Sequence, residues 1–442
     1  PRIYEMLAMQ GIETLVFNPM PPYPIIPLEN LKISSSVFCP EPTCYPSKMY
    51  RYCRNFPDYT EIFDARKGKK SMDKDMFLEL ELEKTFQRVK VVEDALKEES
   101  WSLAWIRLQD PDNMLHVAYD EVFLGHPKVI KIFTMLDKLV ESSKELADLL
   151  VLVSDHGHKI YEHTVSINTI LYNHAFAKLT TGQGLADHLE VMESIRAPGL
   201  KVEYNRAKTR IPFRVLRILA NSKLAFLIGL GDTVLRVTGR VYDLPRVDPL
   251  GSEAYSPTHY SYGIFVRDVN HVERVKKVLL SYRGIIDIRS REEVYWGPYV
   301  KRAPNLVITV DHDKGYRLGS NRISARVYSH RKVCDHHPYG IISFIGEDVV
   351  SSELGLVKAW DVAPTIMAYM GVPIPDDTDG RILDGVLNNA TYEGKHYDYA
   401  SEWRRVKSET QPVHKYGKEN RIAFPSEKEN ELKERLRLLG YL

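Results

Sequence analysis

The sequence predicts an α/β protein with a mostly parallel central sheet, helices on both faces of that sheet, and an inserted cap region. Three observations lead to this prediction. Short apolar runs alternate with long helical stretches through the first third of the chain. The alternation is lost between about residues 178 and 251, and it resumes near residue 305. Strand, helix and strand at this spacing are typical of parallel strands that are covered on both sides.

These changes in rhythm divide the chain into four predicted segments. Residues 1–177 form the first part of the α/β core, residues 178–300 form the cap with a small α+β unit, residues 301–400 form the second part of the core, and residues 401–442 form a tail that ends in a helix. In the tail, Ser426 and Glu429 have the spacing of a capping box. We expect that helix to end at Gly440.

Individual elements of the core follow from apolar periodicity and from turn residues. Strands are predicted at Ile12–Phe17, Ser102–Leu108, Leu150–Val153, Asn305–Val310 and Ile341–Ile345. Helices are predicted at Pro1–Gln10, Met76–Leu96, Lys128–Leu149 and Asp361–Met370. The α+β unit of the cap is predicted to contain Ile264–Val266, a helix near His271–Leu280, and Ile285–Ile288. Within the cap, the basic stretch Lys201–Arg217 fits either a solvated helix face or a surface that steers a phosphate-bearing substrate.

Composition excludes several classes of protein. Lys and Arg number 60 and Asp and Glu number 59, so the net charge of +1 argues against a protein that coats nucleic acid. Four Cys are too few for a disulfide scaffold, so buried free thiols are predicted, with one bridge among Cys39, Cys44 and Cys53 left open. No uncharged apolar run reaches the roughly 18 residues of a membrane span. The few cysteines and the absence of a visible export signal favour the cytoplasm.

The first chemical cluster follows the second predicted strand. It reads Asp110-Pro-Asp112-Asn-Met-Leu-His116, and one turn of helix would place Asp112 and His116 on one face. Ligands of open α/β sheets gather at the carboxyl ends of strands, where this cluster lies. A shared metal ion and a capping Asp beside an unrelated His are both open interpretations.

Two further clusters combine acid and imidazole. Ser154-Asp155-His156-Gly157-His158 follows the apolar run LLVLV, and Gly157 permits a turn there. Asp335-His336-His337-Pro-Tyr-Gly precedes the strand at Ile341. A catalytic zinc site often has three protein ligands and one open position. Asp112, His116 and His336 would fill one such site, whereas Asp155 and His156 give only two ligands for a second.

In order and spacing, these clusters resemble those of the alkaline phosphatase superfamily, and most closely its type I phosphodiesterase and nucleotide pyrophosphatase branch with the archaeal relatives of that branch. Further similar stretches are Pro304–Val307, Asp361–Ile366 with Gly371-Val-Pro and Asp379-Gly-Arg, and Arg435–Tyr441. The likeness covers nearly the whole chain and is weakest at residues 178–251. It implies an alkaline phosphatase-like fold.

The resemblance also implies a ligand set and a chemistry. Asp112, His116 and His336 would hold one divalent ion, and Asp155 with His156 would help to hold another; zinc is expected, with manganese or iron as alternatives. A small phosphate ester, such as a nucleotide, would be hydrolysed in two displacements through a covalent phospho-enzyme. The nucleophile, a Thr or Ser, and one further Asp of the second metal site are expected upstream of Pro1.

Several alternatives stay open at this point. His337 could replace His336, Asp110 could replace Asp112, and His158 or His163 could supplement the second site. The same superfamily contains phosphomonoesterases, sulfatases and phosphoglycerate mutases. A metal-binding protein without catalytic activity is a further alternative, although the cost of keeping so many polar groups together argues against it. The oligomeric state is not predicted.

Overall fold

The computed structural model describes residues 1–20, 25–35, 43–57, 73–179, 247–257, 262–319, 323–324, 326–387 and 394–413. The chain divides into two compact units. The first unit combines residues 1–159 with residues 334–442, and the second comprises residues 160–333. The boundaries predicted at residues 177 and 300 differ from these divisions and stay predictions about domain organisation.

The described residues form ten α-helices and seventeen strands. The helices are α1 (Ile3–Met9), α2 (Tyr50–Cys53), α3 (Lys74–Glu98), α4 (Asp110–Phe123), α5 (Pro127–Lys144), α6 (Ile167–Asn173), α7 (Val272–Leu280), α8 (Arg291–Val294), α9 (Val362–Tyr369) and α10 (Tyr399–Glu409). Of these, α2, α6, α8 and α10 have no counterpart among the predicted elements.

The strands are mostly short. They are β1 (Thr14–Phe17), β2 (Leu31–Ser35), β3 (Thr43–Tyr45), β4 (Leu103–Ile106), β5 (Leu149–Val153), β6 (Gly157–Tyr161), β7 (His163–Val165), β8 (Ala254–Tyr255), β9 (Gly263–Val266), β10 (Ile285–Ser290), β11 (Leu306–Val310), β12 (Tyr316–Leu318), β13 (Tyr328–Ser329), β14 (Val333–His337), β15 (Ile342–Gly346), β16 (Ile374–Pro375) and β17 (His396–Tyr397).

The first unit contains a four-stranded sheet in the order β3-β2-β1-β4. β1 runs parallel to both β2 and β4, and β3 is antiparallel to β2. All four residues of β1 are buried, as expected for a continuous apolar run at the centre of a sheet. Leu15 and Phe17 pack into one core cluster, whereas Val16 packs into another, because successive side chains point to opposite faces.

Helices cover both faces of this sheet. The cluster around Leu15 and Phe17 includes Val89, Val92 and Ala95 of α3 and Leu139 of α5. The cluster around Val16 includes residues of α1 and α9 together with the strands between them. The first unit is therefore a mixed α/β structure with two apolar layers, one on either side of β1.

The sequence predicted that the parallel sheet continues through β5, and the structure differs from this prediction. β5 pairs with β15, and the pair is antiparallel from Ile342 opposite Val153 to Gly346 opposite Leu149. Hydrogen-bonded parallel strands in the four-stranded sheet are therefore β2, β1 and β4. Among the described residues, β4 and β5 each keep one edge that has no hydrogen-bonded strand. Because of these open edges, every residue of both strands is at least partly exposed, although the sequences LAWI and LLVLV are entirely apolar.

The second unit contains a sheet in the order β10-β11-β9-β8, whose pairs are all antiparallel. β11 corresponds to the predicted strand Asn305–Val310, which we expected to resume the parallel core. Instead it lies in this antiparallel sheet. Its alternating burial, with Leu306, Ile308 and Val310 inside, is typical of a sheet that packs one face against a core. A second sheet has the order β12-β7-β13.

Some predictions lie outside the described residues. These are the basic stretch at 201–217 and the C-terminal helix at 426–440. Cys44, Cys53 and Cys334 are buried free thiols, as predicted, and Cys39 is not described. No helix in the described parts of the chain combines the length and apolar character that crossing a membrane requires.

Candidate metal centre

The start of α4 places the first two candidate ligands. β4 ends at Ile106, and α4 begins at Asp110 with Pro111 in its first turn, a position that tolerates proline. Asp112 and His116 are four residues apart and lie on one face of the helix. The Asp112 Oδ1 to His116 Nε2 distance is 3.2 Å. The structure therefore brings these two side chains together, and their role as metal ligands stays a prediction.

A buried polar network fixes the first turn of α4. We define it as Glu81, Thr85, Arg88, Asp110 and Asn113, all of which are fully buried. Arg88 Nη1 donates to Asp110 Oδ1 at 2.7 Å, and Thr85 Oγ1 donates to the same oxygen at 2.6 Å. Asn113 Nδ2 donates to Glu81 Oε1 at 3.3 Å. The sequence left Asp110 open as a metal ligand in place of Asp112. In the structure, the Asp110 carboxylate instead accepts hydrogen bonds from Arg88 and Thr85.

The turn between β5 and β6 carries His156 and His158. Two hydrogen bonds join it to the segment before β15: Ser154 N donates to Ile341 O at 3.0 Å, and Ile341 N donates to Ser154 Oγ at 2.8 Å. Within this turn Asp155 points outward, and its side chain is 73% exposed. Asp155 Oδ1 lies 3.6 Å from His156 Nε2.

The third stretch is β14, which is hydrogen-bonded to β6. His336 N donates to Asp335 Oδ1 at 2.9 Å. The neighbouring His337 serves the following turn instead: its Nδ1 accepts from Tyr339 N at 3.3 Å, and its ring packs against Tyr339. His336, rather than His337, has its Nε2 beside His116 Nε2, at 2.9 Å.

These three stretches meet in what we call the imidazole cluster, which consists of Asp112, His116, His156, His158 and His336. His158 Nε2 lies 3.2 Å and His336 Nε2 lies 3.6 Å from Asp112 Oδ1. The rings of His156 and His336 stack with centroids 3.8 Å apart. Four imidazoles therefore surround one carboxylate.

Donor atoms in this region form two overlapping groups within the described residues. Asp112, His156, His158 and His336 form one, and His116, Asp335 and His336 form the other. In each group the donor atoms all lie within 4.8 Å of one another. A mixture of imidazole nitrogen and carboxylate oxygen is the donor set that zinc takes in proteins. The residues present thus fit a divalent metal ion.

The protonation states also suit metal binding. Burial alone would raise the pKa of Asp112, but the imidazoles of His116, His158 and His336 outweigh burial and hold that pKa well below its ordinary value. Burial, followed by the charge of His336, lowers the pKa of His156. An ionised carboxylate and a neutral imidazole are the forms that coordinate a metal.

The structure brings together four of the five ligands predicted from sequence, namely Asp112, His116, His156 and His336. Asp155 lies outside both donor groups, with its carboxylate largely in solvent. His158, which the sequence left open as a supplement to the second site, and Asp335, which was not assigned from sequence, also join the groups. For His158 a signal existed: it lies two residues beyond His156, and a strand places such residues on the same face. His163 lies in the second unit, where its Nδ1 is 3.0 Å from His330 Nδ1.

Comparison with known proteins gives little further information. No model of a protein family and no curated protein matches this chain. Among solved structures, the chain is similar to phosphonoacetate hydrolase from Sinorhizobium meliloti 1021 in complexes with phosphonoformate and with phosphonoacetate. In both cases the identity is 12%, with 77% of this chain and 68% of the other covered, and the TM-scores are 0.35 and 0.34. A likeness this distant carries no inference about the activity of this chain.

Proposed function

We propose that this protein hydrolyses phosphate esters with the help of divalent metal ions. The observation that carries the proposal is the convergence of Asp112, His116, His156 and His336 from three separate stretches of sequence. Two of these stretches follow the carboxyl ends of β4 and β5, which is where open α/β sheets hold their ligands. Burial of so many polar donors in one place is costly unless a bound cation compensates them.

Within this class, the proposal is a phosphodiesterase or nucleotide pyrophosphatase of the alkaline phosphatase superfamily, acting on a small ester such as a nucleotide. Its support is the order and spacing of the motifs. Asp112 with His116, Asp155-His156-Gly157, and His336 before a Pro and Gly resemble that branch more than the monoesterases, sulfatases or mutases of the same superfamily.

Two ions, zinc or alternatively manganese or iron, are part of the proposal. Asp112, His116 and His336 would hold one, and Asp155 with His156 would contribute to the other. Bound ions would supply Lewis acidity to a phosphoryl oxygen and lower the pKa of the nucleophile. The protein's own part is positional: the Arg88–Asp110 pair fixes the first turn of α4, and the ionised Asp112 supplies the negative charge that balances a cation.

The nucleophile of the proposed reaction is a Thr or Ser. The sheet supports the idea of an additional strand. Within the described ranges, β4 and β5 each have one edge without a hydrogen-bonded strand, and Trp105 of β4 and Val151 of β5 pack against the same core cluster. A strand inserted between them would bury two edges whose polar groups otherwise face solvent.

The experiment that tests the function measures hydrolysis of bis(p-nitrophenyl) phosphate by the full protein from its native source. We expect activity that a chelator abolishes and zinc or manganese restores, and that Asp112→Asn lowers at least about 100-fold. His396→Ala, which changes an exposed histidine of β17, is the matched control and should leave the rate unchanged.

A second candidate, a metal-binding protein without hydrolytic activity, is favoured by one observation. Four donors in one group can satisfy a tetrahedral ion without leaving a position for substrate. If the protein binds zinc but cleaves no diester, monoester or sulfate ester, the hydrolase proposal is wrong and this second function replaces it. Hydrolysis that survives complete removal of metal would contradict both.

A further inference from the structure

We propose that Arg107 is an anion-binding residue beside the imidazole cluster and that its guanidinium group binds the phosphoryl group of the substrate. Neither the sequence motifs nor the resemblance assigns Arg107 a role. The inference rests on the proposed function, because it names the side chain that would hold the phosphate ester next to the metal ions.

Arg107 lies directly beyond the carboxyl end of β4, beside the corresponding end of β1. Arg107 N donates to Phe17 O at 3.1 Å, and Asn18 Nδ2 donates to Arg107 O at 3.2 Å. These two hydrogen bonds hold the ends of the parallel strands side by side. Open α/β sheets bind their ligands at the carboxyl ends of the strands. Arg107 therefore lies where a ligand of this sheet is expected.

The positive charge of Arg107 is not balanced by an acidic side chain. Its Nη1 atom is buried without a hydrogen-bond partner among the described residues, and none of the described carboxylates pairs with it. Arg88, by contrast, pairs with Asp110 at 2.7 Å. A buried donor without a partner is costly, and the cost is larger when the donor is charged. An anionic ligand would supply the missing partner.

Asn18 is a second indication of a ligand at this place. Its φ of +54° lies in the left-handed region, and its side chain is 1% exposed. The Oδ1 atom of Asn18 also lacks a hydrogen-bond partner within the described ranges. Strained residues that the surrounding fold holds in place cluster at ligand sites. Asn18 is thus a positioning residue, because its amide fixes the backbone of Arg107.

Arg107 is close in the chain to the imidazole cluster. Gln109, two residues further along, donates from Nε2 to Asp112 Oδ2 at 3.5 Å. Two residues span at most about 7 Å of chain. A guanidinium group binds phosphate through two parallel hydrogen bonds, which an ammonium group cannot reproduce. Arg107 would therefore hold oxygens of a phosphoryl group whose other oxygens face Asp112 and its neighbours.

The test measures the binding of inorganic phosphate to the zinc-loaded full protein by isothermal titration calorimetry, with no ester present. Arg107→Gln should weaken phosphate binding about 10- to 100-fold, because one charged hydrogen-bonding partner is lost. The affinity for Zn²⁺ should stay unchanged. Arg289→Gln, which changes a half-exposed arginine of the second unit, is the matched control and should bind phosphate as wild type does.

A second variant keeps the test decisive if Arg107→Gln does not fold. Arg107→Lys retains the positive charge but not the planar fork, so phosphate affinity should still fall about 3- to 10-fold. Unchanged phosphate affinity in a folded Arg107 variant, or an equal loss of zinc and phosphate affinity, would overturn the assignment. The absence of phosphate binding by zinc-loaded wild type would also overturn it.

Failure of this inference and failure of the proposed function give different results. Phosphate binding that depends on Arg107, in a protein that hydrolyses no ester, would support the anion site and contradict only the hydrolase function. Ester hydrolysis by a protein whose phosphate binding does not depend on Arg107 would contradict only the role of Arg107.

Discussion

At Gly157 the backbone of the β5–β6 turn approaches the segment after β14 so closely that no side chain fits. A Cβ atom added there would lie 2.1 Å from the carbonyl oxygen of Tyr339. At Gly340, on the opposite side of the contact, a Cβ atom would lie 2.4 Å from Ser154 Oγ. The two glycines therefore allow the turn with His156 to lie against the segment that follows His336.

We predict that Gly157→Ala destabilises the protein and weakens metal binding. The added methyl group collides with backbone, so the two segments must separate at a cost of about 1–3 kcal/mol. Urea denaturation measures the first effect and Zn²⁺ titration the second. Gly385→Ala is the matched control: nothing lies within 4 Å of its Cβ position, but its φ of +74° is unfavourable for alanine. It should cost about 1 kcal/mol and leave zinc affinity unchanged.

Glu99 is a second residue whose environment shifts its pKa and thereby affects the stability of the folded state. Its side chain is 4% exposed and accepts hydrogen bonds from Lys48 Nζ at 2.8 Å and from Arg51 at 2.9 Å. Burial alone would raise its pKa, but Lys48 and Arg51 outweigh burial and lower the pKa below 4.5. The ionised carboxylate therefore stabilises the folded state above about pH 4.5, and this stabilisation is lost as the pH falls through the folded-state pKa.

We predict that Glu99→Gln costs about 1 kcal/mol at pH 7, because the partners are half exposed and the ion pairs are correspondingly weak. The difference in unfolding free energy between wild type and variant should shrink as the pH is lowered from 7 towards about 3, because wild type also loses the charge as the pH falls through the folded-state pKa of Glu99. Urea denaturation of wild type and variant at pH 7 and at about pH 3 measures this difference in unfolding free energy. Glu98→Gln, which changes a half-exposed neighbour, should give a smaller difference. A Glu99 effect that does not depend on pH would contradict the assignment.

Residue-level prediction from sequence worked where one helical turn or one strand end determines the geometry. Asp112 and His116 needed only the spacing of a helix, and the structure brings them to 3.2 Å. The positions of Asp155 and His158 could not be predicted from local geometry alone. Adjacent residues diverge at the end of β5, and whether the turn directs Asp155 or His158 inward depends on the contact between Gly157 and Tyr339, which lies far away in sequence.

At the scale of elements, α3 and α4 are joined by the buried polar network. Arg88 pairs with Asp110 at 2.7 Å and lies 3.9 Å from Glu81, and none of the three side chains is exposed. Removing one member leaves a buried charge without compensation, which is far more costly than removing both. The network thus holds α4 against α3, and removal of any single charged member should destabilise this contact.

We predict that Arg88→Met lowers the unfolding free energy by about 3–5 kcal/mol. Arg88→Met combined with Asp110→Asn should recover more than about 1 kcal/mol of that loss, because the uncompensated carboxylate is gone. Urea denaturation of the two single variants and the double variant closes the cycle. If the double variant is no more stable than Arg88→Met, Asp110 is not the group that Arg88 compensates.

Element prediction succeeded for the long helices and for the buried strand β1, where periodicity is strong. It could not assign partners to the strands. The run LVITV of β11 and the run LLVLV of β5 are apolar enough to fit a parallel sheet, yet both pair antiparallel. The pairing of a strand depends on which other strands the rest of the chain places beside it. The sequence of a short apolar run does not determine that neighbour or the direction of pairing.

At the scale of the whole molecule, the chain leaves the first unit after Lys159, forms the second unit, and returns at Cys334. Every member of the imidazole cluster belongs to the first unit, although His158 and His336 lie on either side of the inserted segment. The core of the second unit runs from Val165 to Ile323 and contains none of these residues. Metal binding should therefore stabilise one unit and not the other.

We predict that calorimetry resolves two unfolding transitions and that zinc raises the midpoint of one of them. A ligand that binds only the folded state at 100 times its dissociation constant adds about 2.7 kcal/mol. For a unit of this size, that addition corresponds to a rise of roughly 5–10 °C. The second transition should stay in place because its unit holds no ligand. In Asp112→Asn neither transition should respond to zinc, which identifies the responsive transition as that of the first unit. Equal shifts of both transitions would mean that zinc stabilises both units, and a single transition would mean that the two units unfold together; either result would contradict the prediction.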